Sequence, residues 1–437
     1  MLRHSRSVRE SRGRYAATGK LSCYKAGMKN KPTLVVSLAV ALSAPFLLAA
    51  CGGSSSSDTT STSTAASNTI RLGMEGPLSG DQKVTGVGML NGAKLAADKL
   101  NAKGGLLGKQ IEIVPIDDAA DPATGVTAAN AAIKDGLDGV VGPYNSGVGI
   151  KTLPLYGAAG LTPIRLTSDS ATNGMGYTLQ PMDYQIAPVA TTALTDWLKA
   201  KSVAIAYDPT PGYTATVGAQ MKTLLEKAGV KITAYEAVKP GASNYTSTVK
   251  KLEATNPDAI YSVVYFPEGG LIAKEMNTSS SKVKCVADYA SDDPGFVTTA
   301  GKAAAQNCPV VGVPSPGDFP TGGSFDASYQ KEFGEGPGTW SSYVYDSVNL
   351  LADCVKSAGG FDNTPNADGS TTAQTDGSTA LTKCLNETKD WKGVTGSVTI
   401  DPANGNRNPA TVVLLATDSS GALHVDQDWA NAVGAPY

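Results

Sequence analysis

The sequence predicts an α/β fold whose parallel sheets are shared between two lobes. Three observations carry that prediction. From Thr69 to Ala287, short apolar runs alternate with segments whose apolar residues recur at helical spacing, joined by short loops. Such alternation lays helices over parallel strands. The pattern breaks and restarts around Gln180–Pro188, and two runs with a break between them read as two lobes. Within the first run, Gly139–Asn173 reads as strand, loop, helix, strand, loop. Both of its loops then lie at the carboxyl edge of one sheet, where open α/β folds bind small ligands.

Taken in order, Thr69–Met74 is a strand that ends in Glu75-Gly76-Pro77-Leu78-Ser79-Gly80. Val87–Lys103 is a helix with Ala93, Ala96, Ala97 and Leu100 on one face, and Gly104-Gly105 stops it. Lys109–Ile116 is a strand closed by Asp117-Asp118, and Asp121-Pro122 opens the next helix with a good cap and Pro in first position. After the break come helix Gln185–Lys201, strand Ser202–Tyr207, loop Asp208–Tyr213 and helix Thr214–Gly229. Strand Lys231–Tyr235, a helix capped by Ser243 or Asn244, and strand Asp258–Tyr265 follow. The loop Phe266-Pro267-Glu268-Gly269-Gly270 leads into helix Leu271–Met276 and strand Lys282–Ala287, with a further strand at Pro309–Val313. Ser315–Gly338 is Gly/Pro-rich and reads as irregular, and helices are expected at Tyr343–Ser357 and Ser378–Thr388. Asn363–Gly377 reads as a polar loop, Val394–Asp401 and Ala410–Thr417 as strands, and Ser419-Ser420-Gly421 as a hairpin turn before Ala422–Val425.

The loops of Gly139–Asn173 carry chemistry for holding rather than reacting. Asn145 and Ser146 stand where a helix N-cap belongs. Free N–H groups at that positive helix end favour an anion such as a carboxylate. The polar loop Thr167-Ser168-Asp169-Ser170 brings a negative charge, Asp169, that could pair an ammonium. A zwitterion such as an amino acid suits the two together. The plainer alternative is that Ser146 only caps its helix and Asp169 only closes a turn.

Ahead of the folded part lies an address. Met28-Lys29-Asn30-Lys31 is basic, Pro32–Ala50 is apolar, and Leu48-Ala49-Ala50-Cys51 follows. This is the anatomy of a secretory signal, too short and too rich in small residues at its end for a membrane span. Its ending resembles a bacterial lipobox, which implies cleavage before Cys51 and a lipid on that thiol. Met28 is expected to be the true start, with 1–27 a non-structural leader. Residues 51–68 are Gly/Ser/Thr-rich and nearly uncharged, a flexible tether. The nominal net charge of −3 hides an acidic body, because residues 1–50 carry nine Lys/Arg and one acid. From Cys51 onward 27 bases face 38 acids, which argues against a nucleic-acid partner. Four cysteines remain besides Cys23 and Cys51: Cys285, Cys308, Cys354 and Cys384. An exported chain with four cysteines suggests two disulfides. Three connectivities are possible, and the sequence-local one, Cys285–Cys308 with Cys354–Cys384, is expected. No CxxC pair occurs, so zinc is not expected.

Ile70-Arg71-Leu72-Gly73, then Gly76-Pro77-Leu78-Ser79-Gly80, then Asn101-Ala102-Lys103-Gly104-Gly105-Leu106-Leu107-Gly108 stand in an order that resembles a known family. Asp117-Asp118, Asp121-Pro122 and Gly139-Val140-Val141-Gly142-Pro143 continue it. The chain is similar to the substrate-binding proteins of branched-chain amino-acid (leucine/isoleucine/valine) ABC transporters, in lipoprotein form. The resemblance runs from about Asn68 to the C-terminus and is loose after Pro267. It implies two Rossmann-like lobes joined by three hinge strands, the type I periplasmic binding protein fold. Carried over, lobe one is 69–184 plus 316–405 and lobe two is 185–315 plus 406–437. It also implies that Ser146 holds an α-carboxylate with the N–H groups of Ser146 and Gly147, and that Thr167 and Ser168 supply backbone atoms. Asp169 stands where a threonine is usual. Tyr213 and Tyr265 are the tyrosines of lobe two. Two positions depart from the pattern: Tyr289 replaces the usual acid beside Asp288, and Thr85 replaces a tyrosine. Either the ammonium partner has moved to Asp169 or the ligand is not a branched-chain amino acid. An amide or a polyamine-like cation would also fit an acidic, tyrosine-lined cleft.

The function so implied is a lipid-anchored solute receptor, with a small-molecule ligand, permease subunits and the membrane as partners and no cofactor. A sensor of the same fold is the alternative. An enzyme has little support: histidine occurs only at His4 and His424, and no nucleophile elbow, phosphate loop or metal cluster is present. Carboxylate chemistry at Asp288, Asp292 and Asp293 is the one opening. The plainer reading of that cluster is a solvated loop with a helix cap.

Overall fold

A computed structural model describes residues 68–319, 322–363 and 375–433. The leader, the signal segment, Cys51, most of the tether and most of the polar loop Asn363–Gly377 lie outside the described residues.

The first strands are β1 (Thr69–Gly76), β2 (Gln110–Asp117), β3 (Gly139–Val141) and β4 (Pro163–Ile164). They form one parallel sheet in the order β2-β1-β3-β4. Helices α1 (Lys83–Asn101), α2 (Pro122–Asp135) and α3 (Ser146–Ala158) connect them. The start of α2 is set as the sequence predicts: the Asp121 carboxylate accepts from Thr124 N–H at 2.8 Å, and Pro122 opens the helix. Leu72, Met74, Met89, Ala96 and Ile164 are buried between β1, β4 and α1.

After α4 (Asp183–Thr192), the chain runs through β5 (Ser202–Tyr207), α5 (Tyr213–Lys227), β6 (Lys231–Ala237), α6 (Thr246–Glu253), β7 (Ala259–Val263) and α7 (Phe266–Thr278). β8 (Lys284–Ala287), α8 (Pro294–Ala300), α9 (Lys302–Gln306) and β9 (Val310–Gly312) complete the second run. Next come α10 (Gly323–Phe333), α11 (Thr339–Ala358) and α12 (Ala380–Asn386). Strands β10 (Trp391–Gly393) to β11 (Gly396–Val398) and β12 (Ile400–Asp401) to β13 (Asn406–Arg407) make two hairpins. β14 (Val413–Thr417), β15 (Leu423–Val425) and α13 (Gln427–Val433) end the described chain. The second sheet has the order β15-β14-β9-β8-β7-β5-β6. It is parallel from β6 to β9, and β14 and β15 add an antiparallel edge. The chain passes from the first sheet to the second after β4, leaves the second after β9 for the helices α10 to α12 and the two hairpins, with α11 packed on α1, and returns to it at β14.

Several elements differ from the sequence reading, each for a physical reason. The loop expected at Phe266–Gly270 is the first turn of α7. Its glycines read as breakers, but they let two helices meet: a Cβ on Gly269 would lie 2.2 Å from Ser291 Oγ, and one on Gly270 2.7 Å from Thr299 Cβ. The helix expected at Gln185–Lys201 ends as α at Thr192 and continues as a wide π turn over Ala193–Trp197. The cap position of α6 is Tyr245 rather than Ser243 or Asn244, although Asn244 Oδ1 accepts from the helix's first N–H, Thr246, at 3.4 Å. Ser315–Gly338, expected to be irregular, contains α10. Val394–Asp401, expected as one strand, is split between β11 and β12. Periodicity cannot register a change of partner within one apolar run. Both disulfides take the sequence-local pairing, Cys285–Cys308 between β8 and the entry to β9 and Cys354–Cys384 between α11 and α12.

Candidate functional site

In the first sheet β1 has β2 on one side and β3 on the other; in the second, β5 has β6 on one side and β7 on the other. Connections therefore leave each sheet in opposite directions at these strands, and a crevice opens at their carboxyl ends. The two crevices face each other. Between them is a cavity of about 320 Å³. The first sheet lines it with Gln82 after β1, Ala120 after β2 and Asn145 after β3; the second does so with Asp208 after β5, Gly241 after β6 and Glu268 after β7.

Of the residues singled out in the sequence, Asn145, Gly147, Tyr213 and Tyr265 line this cavity. Thr85, Ser146, Thr167, Ser168, Asp169 and Tyr289 do not. Asn145 occupies the cap position of α3 in an extended conformation, but its side chain does not cap the helix. Its Nδ2 donates to Gln82 Oε1 at 2.9 Å instead. Ser146 Oγ accepts from the N–H groups of Ser168 and Asp169 at 3.2 and 3.3 Å. Thr167 Oγ1 meets Thr172 Oγ1 and accepts from Arg165 Nη1. The Asp169 carboxylate accepts from Ala171 N–H and from Thr216 Oγ1, both at 2.8 Å. One of these bonds closes a turn, and the other reaches across to the second sheet's α5.

Other contacts also span the two sheets. Thr85 Oγ1 donates to Asp293 Oδ2 at 2.6 Å, and Ser168 Oγ meets the Tyr289 hydroxyl at 3.4 Å. Gly147 in α3 faces Pro211 and Gly212 so closely that a Cβ on it would lie 2.5 Å from Pro211 O. Gly212 itself has φ +137°, and a Cβ there would lie 2.7 Å from Gly147 N. Glycine at both places permits backbone to meet backbone. Aromatic rings fill the space beside Ser146 and Ser168. Tyr289 stands 5.6 Å from Tyr213 and 5.2 Å from Trp340, and Trp340 stands 5.5 Å from Tyr144. Tyr144 in turn lies 6.1 Å from Tyr265. Tyr144 and Trp340 carried no signal in the sequence beyond being large and apolar.

The acids of the second sheet are buried, which corrects the expectation of a solvated loop. Asp288 accepts from the Tyr261 hydroxyl and Ala290 N–H. Asp292 accepts from Val313 N–H at 2.8 Å and Thr339 Oγ1 at 3.1 Å, and burial lifts its carboxyl to about 8. Asp293 does cap α8, through Gly295 N–H, but it is fully enclosed, and burial raises its carboxyl as well. In the first sheet burial lifts Asp118 to about 7. Beneath β4, the Arg165 guanidinium is buried against Thr167 O and Asn406, and burial lowers it to about 9. Among the described residues no set of three or more His, Cys, Asp or Glu could hold a metal ion. The arrangement leaves room for a small molecule between two surfaces.

The family model for periplasmic binding proteins matches residues 69–422. The chain belongs to the periplasmic binding protein family. Leu/Ile/Val-binding protein homolog 2 of Brucella abortus (strain 2308) is 30% identical over 298 residues, which cover 67% of this chain and 80% of that protein. The substrate-binding protein LivJ of Streptococcus pneumoniae, solved in complex with isoleucine, superposes with a TM-score of 0.69 at 24% identity, covering 81% of this chain and 97% of LivJ. A solute-binding protein of an ABC transporter from Rhodopseudomonas palustris BisB5, solved with 3,4-dihydroxybenzoic acid, superposes at 0.68 with 20% identity over 82% of this chain and 96% of its own. These relatives are solute-binding proteins rather than enzymes. This periplasmic binding protein is accordingly a solute-binding protein, and the family places it outside the cytoplasm.

Proposed function

We propose that this periplasmic binding protein is the lipid-anchored receptor of an ABC importer and takes an amino acid or a related small polar solute into the cavity between its sheets. The observation that carries the reading is the convergence of loops from the carboxyl ends of six strands, three per sheet, on one cavity of about 320 Å³. That volume lies in the range of small-molecule sites. We assign lobe one to 69–184 with 316–405 and lobe two to 185–315 with 406–437. Asn145, Gly147, Tyr213 and Tyr265 are then wall residues. Thr85, Ser146, Thr167, Ser168, Asp169 and Tyr289 join or support the surfaces that meet when the lobes close. Closing is a population shift, driven by contacts that the solute makes to both lobes at once. The closed form then docks on permease subunits.

The anchor rests on Leu48-Ala49-Ala50-Cys51 and the uncharged stretch that follows. Expression of the wild type and Cys51→Ser in a bacterial host tests it. The wild type should sediment with membranes and label with a radioactive fatty acid. Cys51→Ser should do neither, and equal sedimentation of the two would remove the lipid from the account. Solute binding is tested by thermal shift against amino acids, amines and small organic acids. A ligand at about 100 times its dissociation constant adds roughly 2.7 kcal/mol of stability.

A further inference from the structure

The cavity's charges are one-sided. Asp81 approaches from the first sheet, Asp208 and Glu268 from the second. Among the described residues no Lys, Arg or His lines it. Glu268 is only 7% exposed. Its carboxylate accepts from Gly241 N–H at 2.9 Å and makes no ion pair among the described residues. Burial, with Asp208 and Asp81 nearby, raises its carboxyl above the usual range. Asp208, 6% exposed, accepts from Thr210 N–H and likewise has no cation partner. Two nearly buried carboxylates, with the exposed Asp81 at the rim and no counter-charge, favour a positive group that enters between them.

A second observation, independent of the acids, points the same way. Asn145 lines the cavity and is 5% exposed; its Nδ2 is engaged by Gln82, while its Oδ1 has no hydrogen-bond partner. A buried amide oxygen left unpaired calls for a donor. The Tyr265 ring forms part of the same wall, and the face of an aromatic ring attracts cations. The acids do not converge closely enough to hold a metal ion, so the charge must be carried on a molecule that spans them. A zwitterion would bring no net charge, and the positive end of α3 could offset only a fraction of the charge on the two buried acids.

Resting on the receptor reading above, we infer that the solute is a small organic polycation, a protonated di- or polyamine without a carboxylate of its own, and that Asp208, Glu268 and Asp81 share its cationic groups between them. The amine donates to these carboxylates and to Asn145 Oδ1, and Tyr265 covers its flank. Because Asp81 belongs to one sheet and the other two acids to the opposite one, the cation draws the lobes together as it is neutralised.

The test is calorimetric titration of the full-length protein with putrescine, spermidine and agmatine. Isoleucine and 4-aminobutyrate serve as zwitterions and 3,4-dihydroxybenzoate as an anion. At least one amine should bind, more weakly as salt is raised. Glu268→Gln and Asp208→Asn should each weaken that binding about tenfold or more. The ligand-free melting temperature of each variant should stay level or rise, since a buried unpaired charge has been removed. If isoleucine or the benzoate binds and no amine does, the cation proposal is overturned while the receptor reading stands. If an amine binds and neither variant weakens it, these acids are not its site. If no probe of any class binds a protein that melts cooperatively, both readings fail.

Discussion

Gly147→Ala should separate closing from folding. Gly147 is the second residue of α3 and has helical backbone geometry, so alanine suits its place in the helix. Replacing a helical glycine by alanine gains about 0.5–1 kcal/mol, because the unfolded chain loses freedom. Across the cleft, the same Cβ would lie 2.5 Å from Pro211 O. Atoms in ordinary contact stand more than 3 Å apart, so Pro211 and Gly212 must retreat by at least half an ångström for the lobes to shut. Overpacking of that kind costs about 1–3 kcal/mol, which corresponds to binding weaker by roughly 5- to 150-fold. Calorimetry with whichever probe binds the wild type reads this cost, and a thermal melt without ligand reads the helix gain. The expected pair of results is weaker binding with an unchanged or higher melting temperature. Wild-type affinity in Gly147→Ala would refute the view that Gly147 and Pro211 meet when solute is held. A melting temperature lowered by several degrees would refute the separation itself, because the contact would then be part of the ligand-free fold.

Two further outcomes need no ligand. Removing the Cys354–Cys384 bridge by a double serine substitution frees a loop of 30 residues, and the chain-entropy estimate for such a loop is about 3–4 kcal/mol. Urea unfolding at equilibrium should show a loss of that size, and a loss below about 1 kcal/mol would mean that the unfolded chain is already held there. Stability should also fall between pH 5 and pH 8. Asp118 and Asp292 are lifted from 3.8 to about 7 and about 8 by burial, so the folded protein keeps protons that the unfolded chain has released. Each such group costs about 1.4 kcal/mol per pH unit within its window. Asp292→Asn should flatten the slope in urea melts, and stability that rises toward pH 8 would contradict the assignment. Asp121, Asp258 and Asp418 are lowered by hydrogen bonds, so they act with the opposite sign and only below about pH 4.

The framework of the fold was legible because it rests on local rules. Apolar runs, helix-spaced alanines and the Asp121-Pro122 start act over a few residues, and the structure follows them at β1, α1 and α2. The misread elements depend on partners far along the chain. Gly269 and Gly270 break a helix in isolation and join two helices when Ser291 and Thr299 are present. Asp292 looks solvated beside Asp293 and is in fact enclosed by Val313 and Thr339.

The same distinction explains which part of the site the sequence made visible. A loop at the carboxyl end of a strand can be found from the strand alone, so Asn145 could be named, whereas Gly147, Tyr213 and Tyr265 came with the family resemblance. Whether a loop residue faces the cavity or the opposite loop depends on how the two sheets meet, and no local pattern encodes that. Ser146 and Asp169 have the chemistry to hold a zwitterion, yet each spends it on protein: Ser146 on two backbone N–H groups, Asp169 on Ala171 and Thr216. Asp208 and Glu268 read as a helix-opening loop and a glycine-rich turn, and they are the nearly buried carboxylates that line the cavity. A group that already has partners contributes to closing whatever solute is bound. A buried charge without a partner can discriminate among solutes, because only the right one relieves it. Specificity in this receptor should therefore follow Asp208 and Glu268 rather than the serine-rich loops that the resemblance to amino-acid binders brings forward.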